Sequence, residues 1–345
     1  MCYTSATFLE KGERFVKKIT IKDVASHAGI SKTTVSRVLN RRGYISETMY
    51  QKVDQSIREL GFIPNDIARS FFKARTKQVG VIVSAVANPF FGELVFHIEK
   101  TLFRQGYKMT LCNSINEKCS GKDYLRMLQE SRVDGIIACS HHISIDDYNM
   151  MPLKMISIER KINDDIPIVQ SDNYSGGKIA TEALIQAGCK QILCINGEIS
   201  HVHGEPAYDR VLGYLDCVRE NGLEAFVERI PFVYNDPPKH ERIKHILMQK
   251  VYDGVFAGDD VTAAMVFNHA AELGIPVPER LKIVGFDGTS IVRDIFPSLA
   301  TVQQSTSDLA EIAVALLLKE INDCCVPKRT VLPVRLVRGR TLGDE

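Results

Sequence analysis

From Val79 onward the chain alternates short, nearly unbroken apolar runs with longer segments of helical period. This alternation restricts the fold more than any other feature. Strand-length apolar runs lie at 79–83, 108–112, 135–139, 155–158, 168–169, 191–195, 254–257, 282–286 and 300–303. Helical patterns lie at 91–105, 121–131, 176–187, 207–221, 238–250, 261–273 and 306–321. A strand that is apolar at consecutive positions is buried on both faces, and strands separated by helices pair in parallel. About ten strands over about 260 residues exceed one comfortable core. The expected fold class is therefore α/β, a core of two halves, each a doubly wound parallel sheet. The pattern restarts near Ser175, after Asp172-Asn173-Tyr174. Ligands of such sheets bind beyond the carboxyl ends of the strands, so two edges would face each other across a cleft.

The front of the chain has a different character. Ile21, Val24, Ala25 and Ala28 make one helical stripe, and Gly29 ends it. Ser31 is a candidate N-cap for a second helix, in which Val35, Val38 and Leu39 face inward. Lys32, Thr33, Ser36, Arg37 and Asn40 face outward and carry the groups that hydrogen-bond to phosphates and base edges. Helix, glycine turn and polar-faced helix is the helix-turn-helix arrangement; the alternative is a helical hairpin packed in a core. A third helix opens at Ser46-Glu47-Thr48, carries Val53, Ile57 and Leu60 inward and stops at Gly61, while 64–72 is a short helical candidate.

Charge separates the same two regions. Residues 17–78 hold thirteen Lys and Arg against five Asp and Glu, a net +8, whereas the whole chain is only +1. A basic module on a mildly acidic body points to a polyanion met at the front end alone. The nine cysteines include no C-x-x-C and no zinc spacing, and several sit in apolar runs as small core residues. Their pattern suits a reducing compartment. No apolar run is long enough to span a bilayer and no signal-peptide core is evident, so a cytoplasmic protein is expected. Residues 1–17 read as a disordered extension: Lys11-Gly12-Glu13 can be encoded by a purine run like a ribosome-binding site, with Val16 as a GUG start. Intact mass of the protein from its native host would test that start; a mass including Cys2 would refute it.

Thr20-Ile21-Lys22-Asp23-Val24-Ala25, Gly29-Ile30-Ser31, Thr34-Val35-Ser36-Arg37-Val38-Leu39-Asn40 and Gly61-Phe62-Ile63-Pro64-Asn65-x-x-Ala68-Arg69-Ser70 resemble the lac/gal repressor family. So do Asn88-Pro89-Phe90-Phe91, Asp134-Gly135-Ile136-Ile137, Ser171-Asp172-Asn173-x-x-Gly176-Gly177, Arg210-x-x-Gly213 and Gly285-Phe286-Asp287-Gly288, collinear from residue 18 to about 340. Ser157-Ile158-Glu159-Arg160 and Phe286-Asp287-Gly288-Thr289 look most like the sucrose-operon repressors of Gram-positive bacteria. The resemblance implies a helix-turn-helix domain at 18–63, a hinge helix and linker at 64–77, and a periplasmic-binding-protein-like core at 78–342. Within that core it implies one subdomain of about 78–174 plus 306–333 and a second of about 175–303 plus 334–342. It further implies a homodimer, or a tetramer, on pseudo-palindromic double-stranded DNA, with operator affinity set by a small sugar or sugar phosphate. No cofactor, metal or membrane is called for.

By the same resemblance Lys32, Thr33 and Arg37 read bases, while Ser31, Thr34, Ser36, Asn40 and Tyr44, with Thr20, hold the backbone. A purely phosphate role for Lys32 is the alternative. Asn65, Ala68 and Phe71 fall in the hinge helix. Phe71 stands where the family has a Leu wedge; an aromatic can also part a base step, or it packs against its dimer mate. The effector positions are Phe90, Glu159, Arg210, Tyr234, Asp259, Asp287 and Gln304. Arg210 would grip sugar hydroxyls and Asp287 accept from them; Phe90 would stack or merely pack, and the others have ion pairs or helix caps as alternatives.

Catalytic patterns are missing. Asp259-Asp260 read as adjacent residues at a strand end that point apart, and His141-His142 and His201-x-His203 lack partners at metal spacing. Neither a complete phosphate loop nor G-x-S-x-G nor H-E-x-x-H occurs, so no enzyme is expected. Rival readings are a sugar-binding transport protein, a sugar-modifying α/β enzyme, and a global catabolite regulator answering to a phosphorylated carrier protein.

Overall fold

The computed structural model describes residues 19–40, 43–62, 75–114, 121–140, 143–197, 205–230, 237–249 and 252–343. The expected extension and most of the expected hinge helix, including Asn65, Ala68 and Phe71, lie outside them, as does Tyr234. The chain divides into two units, Met1–Ala74 and Arg75–Glu345.

The first unit contains α1 (Ile21–Ala28), α2 (Lys32–Asn40) and α3 (Glu47–Leu60). Its core is small: Val24, Ala25, Val35, Val38, Val53 and Phe62 are buried, ringed by half-buried Ile19, Ile30, Leu39, Met49 and Ile57. Local chemistry sets the helix ends. The Thr20 backbone N–H and hydroxyl both donate to Asp23, at 2.8 and 2.6 Å, which closes the first turn of α1. Gly29 ends α1 and Gly61 ends α3, both left-handed at φ +68° and +61°, a conformation that costs glycine nothing. Ser31 caps α2 by accepting from the Thr34 N–H at 3.1 Å.

The second unit alternates strands and helices: β1 (Gln78–Val83), α4 (Pro89–Arg104), β2 (Lys108–Asn113), α5 (Gly121–Glu130), β3 (Gly135–Cys139), α6 (Ile145–Asn149), β4 (Met155–Ile158) and β5 (Ile168–Ser171). There follow α7 (Asn173–Gln186), β6 (Ile192–Asn196), α8 (Pro206–Glu220), β7 (Phe226–Arg229), α9 (Pro237–Gln249), β8 (Gly254–Ala257), α10 (Asp260–Glu272), β9 (Lys282–Asp287) and α11 (Ser290–Ile295). The remainder is β10 (Ala300–Gln303), α12 (Thr306–Ile321), β11 (Arg329–Leu332), β12 (Arg335–Val337) and a 3-10 turn at Arg340–Leu342.

The strands form two sheets, ordered β11-β5-β4-β3-β1-β2 and β12-β10-β9-β8-β6-β7. All pairings are parallel except β12 against β10. The chain crosses between sheets three times: after β5, after β10 and after β11. Each sheet is covered on both faces, and successive side chains serve opposite cores. Val79, Val81 and Val83 of β1 enter one cluster and Ile82 the other. Ile192 and Cys194 of β6 face one cluster, Leu193 and Ile195 the next. Continuous apolar runs are therefore what a doubly covered sheet requires.

The expected count of about ten strands becomes twelve among the described residues. The strands that left no apolar run are β7, β11 and β12. They are edge strands, and every one of their residues keeps some contact with solvent; an edge strand needs only an alternating or mixed pattern. The short α6 and α11 also escaped notice, since five or six residues carry too little periodicity. Asp259-Asp260 is corrected too: β8 ends at Ala257, and the two acids open α10.

Candidate functional sites

On α2, apolar and polar residues separate by face. Val35 and Val38 are buried, whereas Ser31, Lys32, Thr33 and Arg37 are exposed and Thr34 and Ser36 half-buried. Asn40 is the last residue of the helix. Tyr44, in the following loop, is 100% exposed. Not every expected contact group is idle: the Ser31 and Thr34 hydroxyls share a 2.8 Å hydrogen bond, and the Thr20 hydroxyl is committed to Asp23.

In the second unit a buried polar network centres on Arg210. Arg210 projects from α8, and two glycines bring that helix against α7. A Cβ on Gly177 would lie 2.1 Å from the Arg210 carbonyl oxygen, and one on Gly213 2.2 Å from the Tyr174 oxygen. Only hydrogen side chains permit this approach. The Arg210 guanidinium lies 3.8 Å from the Phe286 ring centroid. Its Nε donates to Asn173 Oδ1 at 2.7 Å and its Nη1 to the Gly258 oxygen at 2.6 Å. Asn173 Nδ2 donates to Glu159 at 2.7 Å, and the Ser171 N–H donates to the same carboxylate at 2.7 Å. Glu159, at φ +65°, thus ties the end of β4 to the crossing after β5.

Two buried acids, Asp287 and Asp260, feel the charge of this arginine, and Asp259 lies within electrostatic reach of both. Asp287, at φ +111° and buried, accepts from Gln304 Nε2 at 2.8 Å. Burial holds its carboxyl well above the usual range, opposed by the Arg210 charge and reinforced by Asp260 and Asp259. Asp260 accepts from the Gly288 N–H at 2.8 Å and the Thr301 hydroxyl at 2.6 Å. Its pKa is pushed up to about 7, burial being the largest cause. Asp259 caps α10, accepting from the Thr262 N–H and hydroxyl at 2.7 and 2.9 Å. Among the described residues, buried side-chain oxygens left without a hydrogen-bond partner are few, and three of the four belong here: Ser171 Oγ, Thr289 Oγ1 and Gln304 Oε1. Buried hydroxyls and amides normally find partners.

The structure therefore links Glu159 through Asn173 to Arg210 by hydrogen bonds, sets the Asp287–Gln304 pair within reach of the Arg210 charge, and gives Asp259 a capping role. Phe90 is only 6% exposed and packs among Val83, Leu94 and Ile98, leaving little ring for a ligand. Asn173 and Asp260 were missed as site residues. Asn173 belongs to the Ser171-Asp172-Asn173 motif, but its position between an acid and a guanidinium is a tertiary fact. Asp260 is absent from the effector positions implied by resemblance, which include its neighbour Asp259, and nothing local shows that it reaches the β9–β10 connection.

The raised acids give a pH dependence. Between an unfolded Asp value near 4 and the folded value near 7, the native state holds more protons than the unfolded chain. Stability is thus full below the lower value and falls as pH rises through the upper one. Asp260→Asn should flatten part of the fall in urea-unfolding free energy between pH 5 and pH 8. Its amide oxygen can keep the Gly288 bond while the Thr301 hydroxyl turns to accept. An unchanged slope would refute the assignment.

Two further ties connect the sheets. Glu93 of α4 accepts from the Ser290 N–H at 2.7 Å and the Thr306 hydroxyl at 2.6 Å, and its carboxyl is held below the usual range by bonds to Ser290 and Thr306 that outweigh burial. Arg160 pairs with Glu205 at 3.4 Å while donating to the Ser140 and Ile143 oxygens.

Residues 20–65 match the bacterial regulatory proteins of the lacI family, and residues 76–338 match the periplasmic binding proteins and sugar binding domain of the LacI family. The chain belongs to the lacI family of bacterial regulatory proteins. It is 44% identical over 326 residues to the sucrose operon repressor of Pediococcus pentosaceus, covering 94% of this chain and 99% of that one. It is 38% identical over 327 residues to the sucrose operon repressor of Streptococcus mutans, covering 95% and 100%. Among solved structures, an Alkaliphilus metalliredigens LacI-type regulator complexed with D-xylulofuranose aligns with TM-score 0.68 and 32% identity, over 77% of this chain and 98% of that one. The lac repressor dimer bound to operator and the anti-inducer ONPF shares the fold, with TM-score 0.82 and 23% identity over 94% and 99%. As a lacI-family member the chain is a DNA-binding transcriptional regulator with a helix-turn-helix front and a two-sheet α/β core. Among the described residues no helix is long and apolar enough to cross a membrane.

For such a regulator, Lys32→Ala should weaken operator binding by about 1–3 kcal/mol and relax preference at one base position. Equal losses on operator and random DNA in an electrophoretic titration would leave Lys32 a phosphate contact.

Proposed function

We propose that the protein represses a carbohydrate-utilisation operon, of the sucrose type, and that a small sugar or sugar phosphate bound near Arg210 controls its affinity for operator DNA. The observation that carries this reading is the Arg210 network: a forked donor beside buried acids, with unpartnered hydroxyl and amide oxygens around it. Vicinal hydroxyls, each donor and acceptor, complement such a set, whereas an apolar ligand would leave it unpaired. The names of the Pediococcus and Streptococcus relatives support sucrose or a derivative.

In this reading Lys32, Thr33 and Arg37 read bases, and Ser31, Thr34, Ser36, Asn40 and Tyr44, with Thr20, hold phosphates. Phe71 parts a central base step from a hinge helix that also carries Asn65 and Ala68. Glu159, Arg210, Asp287 and Gln304, with Tyr234 and the Asn173 and Asp260 carboxamide and carboxyl, face the effector. The domain limits are those of the sequence reading, and the protein acts in the cytoplasm as a non-enzymatic homodimer. Exposed Phe96 and Phe103 on α4 and Ile291 and Ile295 on α11 are apolar surface suited to a second copy. Effector binding shifts the population between two arrangements of the sheets, and the Glu93 and Arg160 ties are broken or re-formed as it does.

The test is a thermal-shift screen with sucrose, fructose, ribose, sucrose 6-phosphate and fructose phosphates, paired with selection of binding sites from random duplex DNA. One sugar should stabilise the protein and also change its affinity for the selected site. No hit among carbohydrates would remove the sugar reading while leaving the regulator intact.

A further inference from the structure

The described cysteines fall into two kinds. Cys112, Cys139, Cys189, Cys194 and Cys217 are buried, and Cys324 and Cys325 are exposed. Burial pushes the Cys112 and Cys217 thiols up to about 11 and Cys189 to about 12, with Cys139 and Cys194 raised further. Those five are protonated and shielded at neutral pH. Thiol oxidation selects thiolate character and access, so chemistry among the described thiols converges on the exposed, sequence-adjacent pair.

The pair sits at a mechanical junction. It follows α12, whose end is closed by Asn322 and by Asp323 in the left-handed region at φ +56°, and the Cys324 N–H returns to the Lys319 oxygen at 3.0 Å. That same turn holds Arg75, the first residue of the second unit. Arg75 Nη1 donates to Asn322 Oδ1 at 2.6 Å and Nη2 to the Ile321 oxygen at 2.8 Å. Directly after it, the Thr76 and Lys77 N–H groups bind the Asp134 carboxylate at 2.7 and 2.9 Å. The 321–325 turn is therefore one of two clamps on the segment that leads from the DNA-binding unit.

We propose that Cys324 and Cys325 form a reactive dithiol that hydroperoxides close into a disulfide, and that closure loosens the Arg75 clamp and lowers operator affinity. One thiolate attacks the peroxide, breaking the O–O bond and becoming a sulfenic acid while an alcohol or water departs. The neighbouring thiolate attacks the sulfenic sulfur, forming S–S and expelling hydroxide, which leaves as water. Two thiols and one hydroperoxide thus give one disulfide, one alcohol or water, and one water. Joining adjacent residues closes a small ring that the existing turn, with its Cys324-to-Lys319 bond, has to rearrange to accept. Asn322 lies inside that rearrangement. The effect on operator binding rests on the regulator reading; the thiol chemistry and the clamp do not.

The experiment treats the full chain with hydrogen peroxide. The 324–325 peptide should lose the mass of two hydrogens. Trypsin cleavage after Arg75 should speed up about five-fold, operator affinity should fall about five-fold, and dithiothreitol should reverse all three. Asn322→Ala should accelerate cleavage without oxidant. Cys2→Ser/Cys119→Ser should behave as wild type, and Cys324→Ser/Cys325→Ser should not respond. Interchain cross-links in place of the intrachain bond, unchanged cleavage after full closure, or an equal response of the 324/325 double variant would each overturn the proposal. Should the chain bind no selected DNA, the regulator reading fails, while mass and cleavage still decide the dithiol and its clamp.

Discussion

Arg210→Ala should destabilise the protein by about 3 kcal/mol at pH 7.5 and weaken binding of the stabilising sugar at least about a hundred-fold. The substitution strands two buried acids, Asp260 and Asp287, and removes donors from Asn173 and the Gly258 oxygen together. It also removes the cation stacked on Phe286. The loss should shrink toward pH 5, because Asp260, pushed up to about 7, takes up a proton there and no longer needs the guanidinium. Arg210→Lys should restore part of the stability but little of the sugar affinity, since an ammonium cannot reproduce the fork that serves both acceptors. Urea titrations at the two pH values and calorimetric sugar titration check this. Wild-type stability in the alanine variant at pH 7.5 would show that Arg210 is not the hub.

Gly177→Ala should cost at least about 3 kcal/mol, read as a lowered urea midpoint. Helix propensity alone favours alanine by about 1 kcal/mol, so propensity predicts the opposite sign. The clash decides it. The new Cβ would lie 2.1 Å from the Arg210 carbonyl oxygen, and the neighbour is backbone, which cannot rotate away. Helices α7 and α8 would have to separate, carrying Arg210 off Asn173. The folded fraction should therefore also lose sugar response. Gly213→Ala should repeat the effect, with the Tyr174 oxygen at 2.2 Å, while Gly197→Ala, with nothing within 4 Å, should be nearly neutral. A Gly177→Ala protein as stable as wild type would mean that the helices have room the structure does not give them.

Both effects arise in motifs that are plain in the sequence but do not state their own reason. Gly176-Gly177 and Arg210-x-x-Gly213 can be read as motifs, and resemblance links them to a ligand. The structure adds a packing cause: the glycines serve the approach of two helices, and the arginine reaches the network because of it. Asp259 shows the converse. It reads equally as a ligand acid or a helix cap, and in the structure its carboxylate is engaged by Thr262. Phe90 likewise reads as stacking or packing, and its ring lies in the core. Asp260 is not legible as a site residue in the sequence because its partners, Gly288 and Thr301, are 28 and 41 residues away. No local pattern encodes such a separation.

By itself the sequence determined the fold class and the long or fully buried elements, but not the edge strands β7, β11 and β12 or the short helices α6 and α11. Apolar runs such as 79–83 and 135–139 specify strands buried on both faces because a period-two chain has no other way to hide consecutive apolar residues. Gly29, Ser31 and Gly61 mark helix ends because dihedral freedom and capping are local. The +8 charge of residues 17–78 marks the polyanion-facing end because charge is additive along the chain. Only the tertiary structure decided which acids are buried, which glycines meet backbone, which strands lie at edges and which cysteines remain outside. Desolvation, close contact and clamping, as at Arg210 and Arg75, depend on distances between residues far apart in sequence. Those distances exist only after both sheets have folded and the chain has crossed between them.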